Sequence, residues 1–302
     1  MQAMLVKCLL RLTAWLPLNI AQNLGAMAGR LMILIPNQLQ RVARRNIALC
    51  FPEMDDAARR RLLRDYLIAN GQLLCETGIF WQGGQGRLER LVVDVEGEDH
   101  IKQGLAQGKG VILVSPHLGN WEVVGLHWST RYPITSLYRP PRMQALDNMM
   151  RQARQRHGAH LVPTNAQGVR ALYQALGRNE LIGILPDQDP REPNGAFAPF
   201  FGLPANTMTL LSRLARKTGA TVVFTYAERL PHSAGFRLKC LPAPATLAAN
   251  DLTTSITALN AMVEHCVRAA PAQYQWGYKR FLTRPAGQPR LYKRLKERQR
   301  KD

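Results

Sequence analysis

The chain has 302 residues, 46% of them hydrophobic and 20% charged, enough apolar mass to fill a core and too much for a globally disordered chain. Forty Lys and Arg against 21 Asp and Glu leave a formal charge of +19, which implies an acidic partner: nucleic acid, anionic lipid or an acidic protein. The five cysteines, Cys8, Cys50, Cys75, Cys240 and Cys266, form no C-x-x-C pair, which argues against a disulfide framework or a cysteine zinc site and for a reducing compartment.

From Leu5 to Ile35 the chain is mostly apolar but is interrupted by Lys7, Arg11 and Arg30. The uninterrupted part, Leu12 to Gly29, contains Pro17, Asn19, Gln22 and Asn23, which makes it a marginal span against the roughly 20 apolar residues a membrane crossing needs. No convincing small-residue cleavage site marks a signal peptide. Six basic residues and no acidic one precede Glu53, a pattern suited to an amphipathic segment on an anionic membrane face. An ordinary buried helical hairpin is the alternative. Residues 1–36 are therefore expected to form an N-terminal membrane-associated helical segment.

Gln38 to Leu49 reads as a helix with a cationic face carrying Arg41, Arg44 and Arg45, ended by Pro52. Asp55 or Asp56 caps a long helix that runs to about Trp81. Gly83 to Gly86 reads as a loop; it lacks the strand before and helix after of a nucleotide-binding glycine turn. Beyond it, strands are expected at Val92–Val95, Val111–Val114, Ile134–Tyr138, His160–Val162, Leu181–Leu185, Val222–Tyr226 and Phe236–Leu241. Helices are expected at Glu98–Gln107, Asn120–Thr130, Met143–His157, Ala166–Leu176, Thr207–Lys217 and Leu252–Ala269. Gly195 to Gly202 reads as an apolar loop, either core or the wall of a channel for a hydrocarbon chain. Strands alternating with helices predict an α/β fold with a central, mostly parallel sheet flanked by helices, filling residues 37–283. The last two strands, around Pro231, have the option of an antiparallel pairing. The tail, residues 284–302, holds eight basic residues against Glu297 and Asp302 and reads as a basic arm, solvated or against a membrane.

The most informative stretch is Gly110 to Glu122. Val111 to Val114 has the β-branched, apolar character of a buried strand, and Pro116 stops it. His117 follows at the strand's C-terminal mouth, then a turn through Gly119, then Asn120, a good helix N-cap, with Glu122 in the helix's first turn. In open α/β sheets that mouth is where sites are built. A carboxylate near an imidazole can hold Nδ1–H and leave Nε2 as a general base. Arg139 and Asp187 follow two other strand ends, with Asp189 close to the second, and Arg154 lies on a helix between them. The histidines lack H-E-x-x-H spacing and cysteine support, so no metal is expected. Ser115 precedes a proline and no G-x-S-x-G is present, so no nucleophile elbow forms, and direct transfer through His117 needs fewer assumptions.

His117-Leu-Gly-Asn-Trp-Glu122 matches the H-x4-D/E motif of glycerolipid-type acyltransferases, in the form that resembles the bacterial lipid A biosynthesis (lauroyl/myristoyl, or late) acyltransferases. The segments Arg44–Pro52, Tyr138-Arg139-Pro140, Pro186-Asp187-Gln188, Pro199–Gly202, Gln273–Trp276 and Lys279-Arg280-Phe281 resemble later blocks of that family, so the resemblance covers nearly the whole chain. It implies transfer of a fatty acyl chain from an acyl carrier protein thioester to a hydroxyl of a lipid A precursor, with no cofactor, at the cytoplasmic face of the inner membrane. It also implies His117 as general base, Glu122 as its orienting partner, and Asn120, Arg139, Arg154 and Asp187 as binding or supporting residues. The basic surface suits an acidic carrier protein and a phosphorylated glycolipid. Without zinc-finger spacing or an RNA-recognition signature, a nucleic-acid partner is not expected.

Overall fold

Prolines divide the apolar N-terminus. Pro17 separates helix α1 (Gln2–Trp15) from α2 (Leu18–Leu34), and Pro36 separates α2 from α3 (Gln38–Cys50), because a ring without an N–H and with a fixed φ starts helices but does not continue them. A computed structural model describes residues 2–141, 143–191 and 195–292. No single helix in it is long and apolar enough to cross a membrane, although α2 and α3 together, bent by 83° at their junction, have the length and composition of a broken span. Asp55 caps the 27-residue helix α4 (Asp56–Gln82) by accepting a 2.6 Å hydrogen bond from the Ala58 N–H, which settles the choice between Asp55 and Asp56.

Helix α2 lies directly on α4. A Cβ at Gly71 would stand 2.1 Å from the Gly25 carbonyl oxygen, and one at Gly25 would stand 2.5 Å from that of Gly71, so the two backbones touch where only glycine fits. The opposite face of α2 is open: Ile20, Leu24, Met27, Leu31 and Leu34, spaced by three and four residues along one stripe, are all exposed.

After α4, a short helix α5 (Gln85–Leu91) begins inside the stretch expected to be loop, with Gly84 preceding it. The α/β part then runs β1 (Val92–Glu96), α6 (Asp99–Ala106), β2 (Val111–Val114), α7 (Trp121–Ser129), β3 (Ile134–Tyr138), α8 (Asp147–Gln155), β4 (His160–Pro163), α9 (Ala166–Gly177) and β5 (Leu181–Ile184). Helix α8 is shorter than expected, with a 3-10 turn at Gln144–Leu146 before it.

The apolar segment after residue 195 is not a loop. It forms strand β6 (Gly195–Phe200), which pairs antiparallel with β7 (Leu203–Met208) through a tight turn at Phe201 and Gly202, both at positive φ. Pro199 and Pro204 sit opposite one another in this pair. They hide a strand from pattern reading and are tolerated because the hairpin is a separate two-stranded sheet. Because β7 claims Leu203–Met208, helix α10 (Leu210–Thr218) starts three residues later than expected. β8 (Thr221–Arg229), β9 (Phe236–Pro242) and α11 (Leu252–Ala269) complete the chain's regular elements. The basic tail beyond residue 292 lies outside the described residues.

The main sheet has the order β1-β9-β8-β2-β5-β3-β4, parallel throughout except for β8 against β9. The mostly parallel α/β architecture and the antiparallel final pair agree with the sequence reading. Side chains of β2 alternate between two cores. Ile112 and Val114 pack on one face with Leu172 and Leu176 of α9, Leu211 and Leu214 of α10 and Leu259 and Val263 of α11. Val111 and Leu113 pack on the other with Ile101 of α6, Val123 and Trp128 of α7 and Ile79 of α4. Burial on both faces is why β2 reads as an unbroken apolar run, and it fixes the C-terminal end of β2 between two packed layers.

Candidate active site

β2 delivers the chain to Ser115-Pro116-His117, and the following turn is held on two sides. Gly119 has φ +60°, and a Cβ there would stand 1.9 Å from the Ala227 carbonyl oxygen of β8. Its N–H donates to the Gln273 carbonyl at 3.1 Å, the Asn120 N–H donates to the Ala227 carbonyl at 2.9 Å, and the Gln275 N–H donates to the His117 carbonyl at 3.0 Å. The Gln273–Trp276 block thus clamps the histidine turn from outside. The Asn120 side chain caps α7 as expected, accepting from the Val123 N–H at 3.4 Å.

The imidazole partner is Asp187. The His117 N–H donates to Asp187 Oδ2 at 2.9 Å, and His117 Nδ1 lies 2.8 Å from Asp187 Oδ1. The sheet register explains the contact. β2 and β5 are neighbouring parallel strands with Val114 opposite Ile184, so the residues three beyond each strand end come together. Asp187 is buried, which by itself raises its carboxyl, but the His117 charge and the His117 hydrogen bonds hold it below the usual range. An ionised Asp187 accepts only, so it assigns the proton to Nδ1 and leaves the Nε2 lone pair available. Gln188 Nε2 stands 3.2 Å from His117 Nε2 and 3.4 Å from Gln275 Oε1, so this amide covers the Nε2 side of the ring. The Trp121 ring meets the imidazole edge to face at 5.0 Å.

The geometry corrects the expectation that Glu122 holds Nδ1. Glu122 is bound instead by Arg154 in a two-pronged pair, Nε to Oε2 at 3.0 Å and Nη2 to Oε1 at 2.5 Å. The reason is the turn at Gly119, which starts α7 on a course that faces Glu122 towards α8, where Arg154 lies. Burial pushes the Glu122 carboxyl up, but the Arg154 charge and hydrogen bonds, with His117, outweigh it and hold the group below its ordinary value. Burial works against the Arg154 charge in turn, and Glu122 more than restores it.

Both Glu122 and Asp187 have folded pKa values below their unfolded ones, so the unfolded chain takes up protons first as pH falls. Their stabilisation is complete above the ordinary carboxylate range near pH 4 and is lost as pH drops through it towards the folded values. Urea midpoints measured from pH 7 to pH 3 should therefore fall less steeply in Glu122→Gln than in the parent chain; equal slopes would remove this account of acid sensitivity.

Arg139 follows the end of β3 and is exposed, with no hydrogen bond or ion pair to the histidine turn among the described residues. Asp189 is structural: it accepts from the Arg191 N–H, the Asn206 amide and the Thr283 N–H, tying the β5 loop to the β6–β7 hairpin and the C-terminal segment. Among the described residues no three His, Cys, Asp or Glu side chains come together as a metal site.

Sequence reasoning missed a buried cluster beneath Asn120. Glu76, fully buried in α4, accepts from Asn120 Nδ2 at 3.1 Å, from Gln22 Nε2 of α2 at 2.7 Å, and from Arg229 Nε and Nη2 at the end of β8. The only sequence signal was one acidic residue inside an otherwise apolar helical stripe. Gln188, Gln275 and Trp121 lie inside the quoted blocks, but the sequence assigned them no role.

Comparison with known proteins shows the family of the chain. Residues 1–283 match the family described as bacterial lipid A biosynthesis acyltransferase. The chain is 30% identical over 282 residues to the lipid A biosynthesis lauroyltransferase of Escherichia coli, covering 93% of this chain and 91% of that protein. It is 29% identical to the palmitoleoyltransferase (92% and 90% covered) and 27% identical to the myristoyltransferase (91% and 84% covered) of the same organism and process. With a histidine at the mouth of the central strand, the H-x4-D/E turn intact and a family match from residue 1 to residue 283, the chain belongs to the bacterial lipid A biosynthesis acyltransferases.

Proposed function

We propose that this protein moves a fatty acyl chain from an acyl carrier protein thioester to a hydroxyl of a lipid A precursor, working at the cytoplasmic face of the inner membrane. The observation that carries the reading is His117, fixed at Nδ1 by the buried Asp187, with its Nε2 lone pair met only by the Gln188 amide.

In this scheme the acceptor hydroxyl displaces the Gln188 amide from Nε2. Its oxygen attacks the thioester carbon as its proton passes to His117. The tetrahedral adduct collapses, the C–S bond breaks, and the imidazolium returns its proton to the departing thiolate. Asp187 stabilises the imidazolium while it exists. The Glu122–Arg154 pair, beside His117, sets the local charge and braces the first turn of α7. No covalent enzyme intermediate and no cofactor beyond the thioester donor are required.

The exposed apolar stripe of α2, continued by Leu12 and by Trp15 at 88% exposure on α1, supports a lipid surface as the place of work. Basic α3 residues next to it suit anionic headgroups. Two negative charges placed on the stripe, as in Leu24→Asp with Met27→Asp, should cut flotation with anionic vesicles about tenfold or more, since an ionised carboxylate resists insertion. Unchanged flotation would remove α2 from the membrane contact.

The function is tested by offering carrier-protein thioesters of several chain lengths with a lipid A precursor in mixed micelles and weighing the product. A gain of one acyl chain is expected. Acylation of a lysophospholipid in preference to the lipid A precursor, or of neither, would overturn the assignment.

A further inference from the structure

A cavity of about 380 Å³ opens between α1, the end of α4 and α8, with no residue of the histidine turn in its lining. Lys7 and Arg11, one turn apart on α1, line it together with Arg156. The rest of its polar lining is amide: Gln82, Asn148 and Gln152. No carboxylate lines it, and among the described residues neither Lys7 nor Arg11 forms an ion pair. Arg156 is held in place without being neutralised, since its Nη1 and Nη2 donate to the carbonyls of Gly83 and Trp81 at 2.5 and 2.9 Å.

Three cations gathered around one space repel each other, and a bound anion relieves that cost. Their chemistry fits a phosphate, with forked Arg donors and a Lys point charge. The three amides, each both donor and acceptor, fit hydroxyls rather than a second phosphate. The position is equally informative. The end of α4 gives the cavity Trp81 and Gln82, while α8 carries Asn148 and Gln152 to the cavity and Arg154 to Glu122. On α1, the exposed apolar side chains of Met4, Leu12 and Trp15 bracket Lys7 and Arg11, the pattern of a helix that keeps cations at headgroup level.

We propose that this cavity binds a phosphorylated sugar, and that it holds the phosphosugar headgroup of the acyl acceptor while the acceptor's hydroxyl reaches His117. The identity of the bound group as acceptor rests on the acyl-transfer reading; binding of a sugar phosphate does not. The phosphate-bearing arm of the carrier-protein donor has the same anionic chemistry, and the two sources are separable.

The test uses the full-length protein and its Lys7→Gln/Arg11→Gln double variant, first matched by circular dichroism and melting temperature. In the binding arm, glucose 1-phosphate is titrated into each by calorimetry at low salt. Saturable binding by the parent chain that weakens roughly 30-fold or more in the double variant, and recovers in part with Arg11→Lys, is expected. Equal binding by both proteins, or none by the parent, overturns the site. In the kinetic arm, KM for the phosphorylated acceptor should rise by a similar factor with kcat and the donor KM within about twofold. A rise confined to the donor KM would assign the phosphate to the carrier arm and overturn the acceptor assignment. Failure of all transfer would refute the activity and leave the binding arm to decide the site.

Discussion

His117→Ala is expected to lower the rate of acyl transfer by roughly 10²–10⁴-fold, the usual contribution of a positioned general base. The fold should survive, because the side chain packs at the mouth of the sheet rather than in either core. Asp187→Asn is the sharper experiment. An asparagine amide can donate to Nδ1, which moves the imidazole proton to Nε2 and leaves no lone pair for the acceptor hydroxyl, so a loss on the order of 10³–10⁴-fold is expected, as for other histidine bases deprived of their orienting carboxylate. Glu122→Gln breaks the Arg154 pair without touching Nδ1, and its loss should be smaller than that of Asp187→Asn. Single-turnover rates with saturating thioester make the comparison. Near-normal activity in Asp187→Asn would show that the 2.8 Å contact to Nδ1 is not part of the chemistry.

The largest effect on stability is expected at Glu76 and Arg229. Both are buried, and Glu76 joins α2 through Gln22, the sheet through Arg229 and the histidine turn through Asn120. Removing one member leaves its partner's charge without compensation, so Arg229→Met or Glu76→Leu should cost about 3–5 kcal/mol. The double variant should be less destabilised than the sum of the singles, since the desolvation of both charges disappears together. Urea unfolding of the four proteins closes the cycle. Single losses below about 1 kcal/mol, the level of an exposed pair, would mean the cluster is hydrated rather than buried. Because Asn120 both caps α7 and donates to Glu76, the singles should also slow acyl transfer through displacement of the turn.

These two experiments divide along the line between local and long-range information. Each expected α/β strand forms, and Asn120, Asp55 and the Leu252–Ala269 helix lie where expected. Those features depend on side chains within four or five positions: a β-branched run, a capping oxygen and an apolar period. Where two prolines disturbed the local pattern, at Pro199 and Pro204, the β6–β7 hairpin went unread. The placement of His117 at a strand mouth was legible for the same local reason, and so was the family, whose ordered blocks run along the chain.

Which carboxylate meets the imidazole was not legible. Glu122 is five residues from His117 and Asp187 is seventy, and proximity along the chain favoured the wrong partner. The contact depends on β5 lying beside β2 with Val114 opposite Ile184, an adjacency that follows from how the helical crossovers pack over the whole sheet. The Glu76–Arg229 pair, 153 residues apart, and the cavity between α1 and α8 have the same origin. The sequence by itself determined the strands of the main sheet, the helices between them, the caps at Asp55 and Asn120, and the histidine at the end of the central strand. Only the tertiary structure decided the partners of that histidine, because hydrogen bonds between strand ends depend on sheet order and register, and neither is encoded within reach of a single turn.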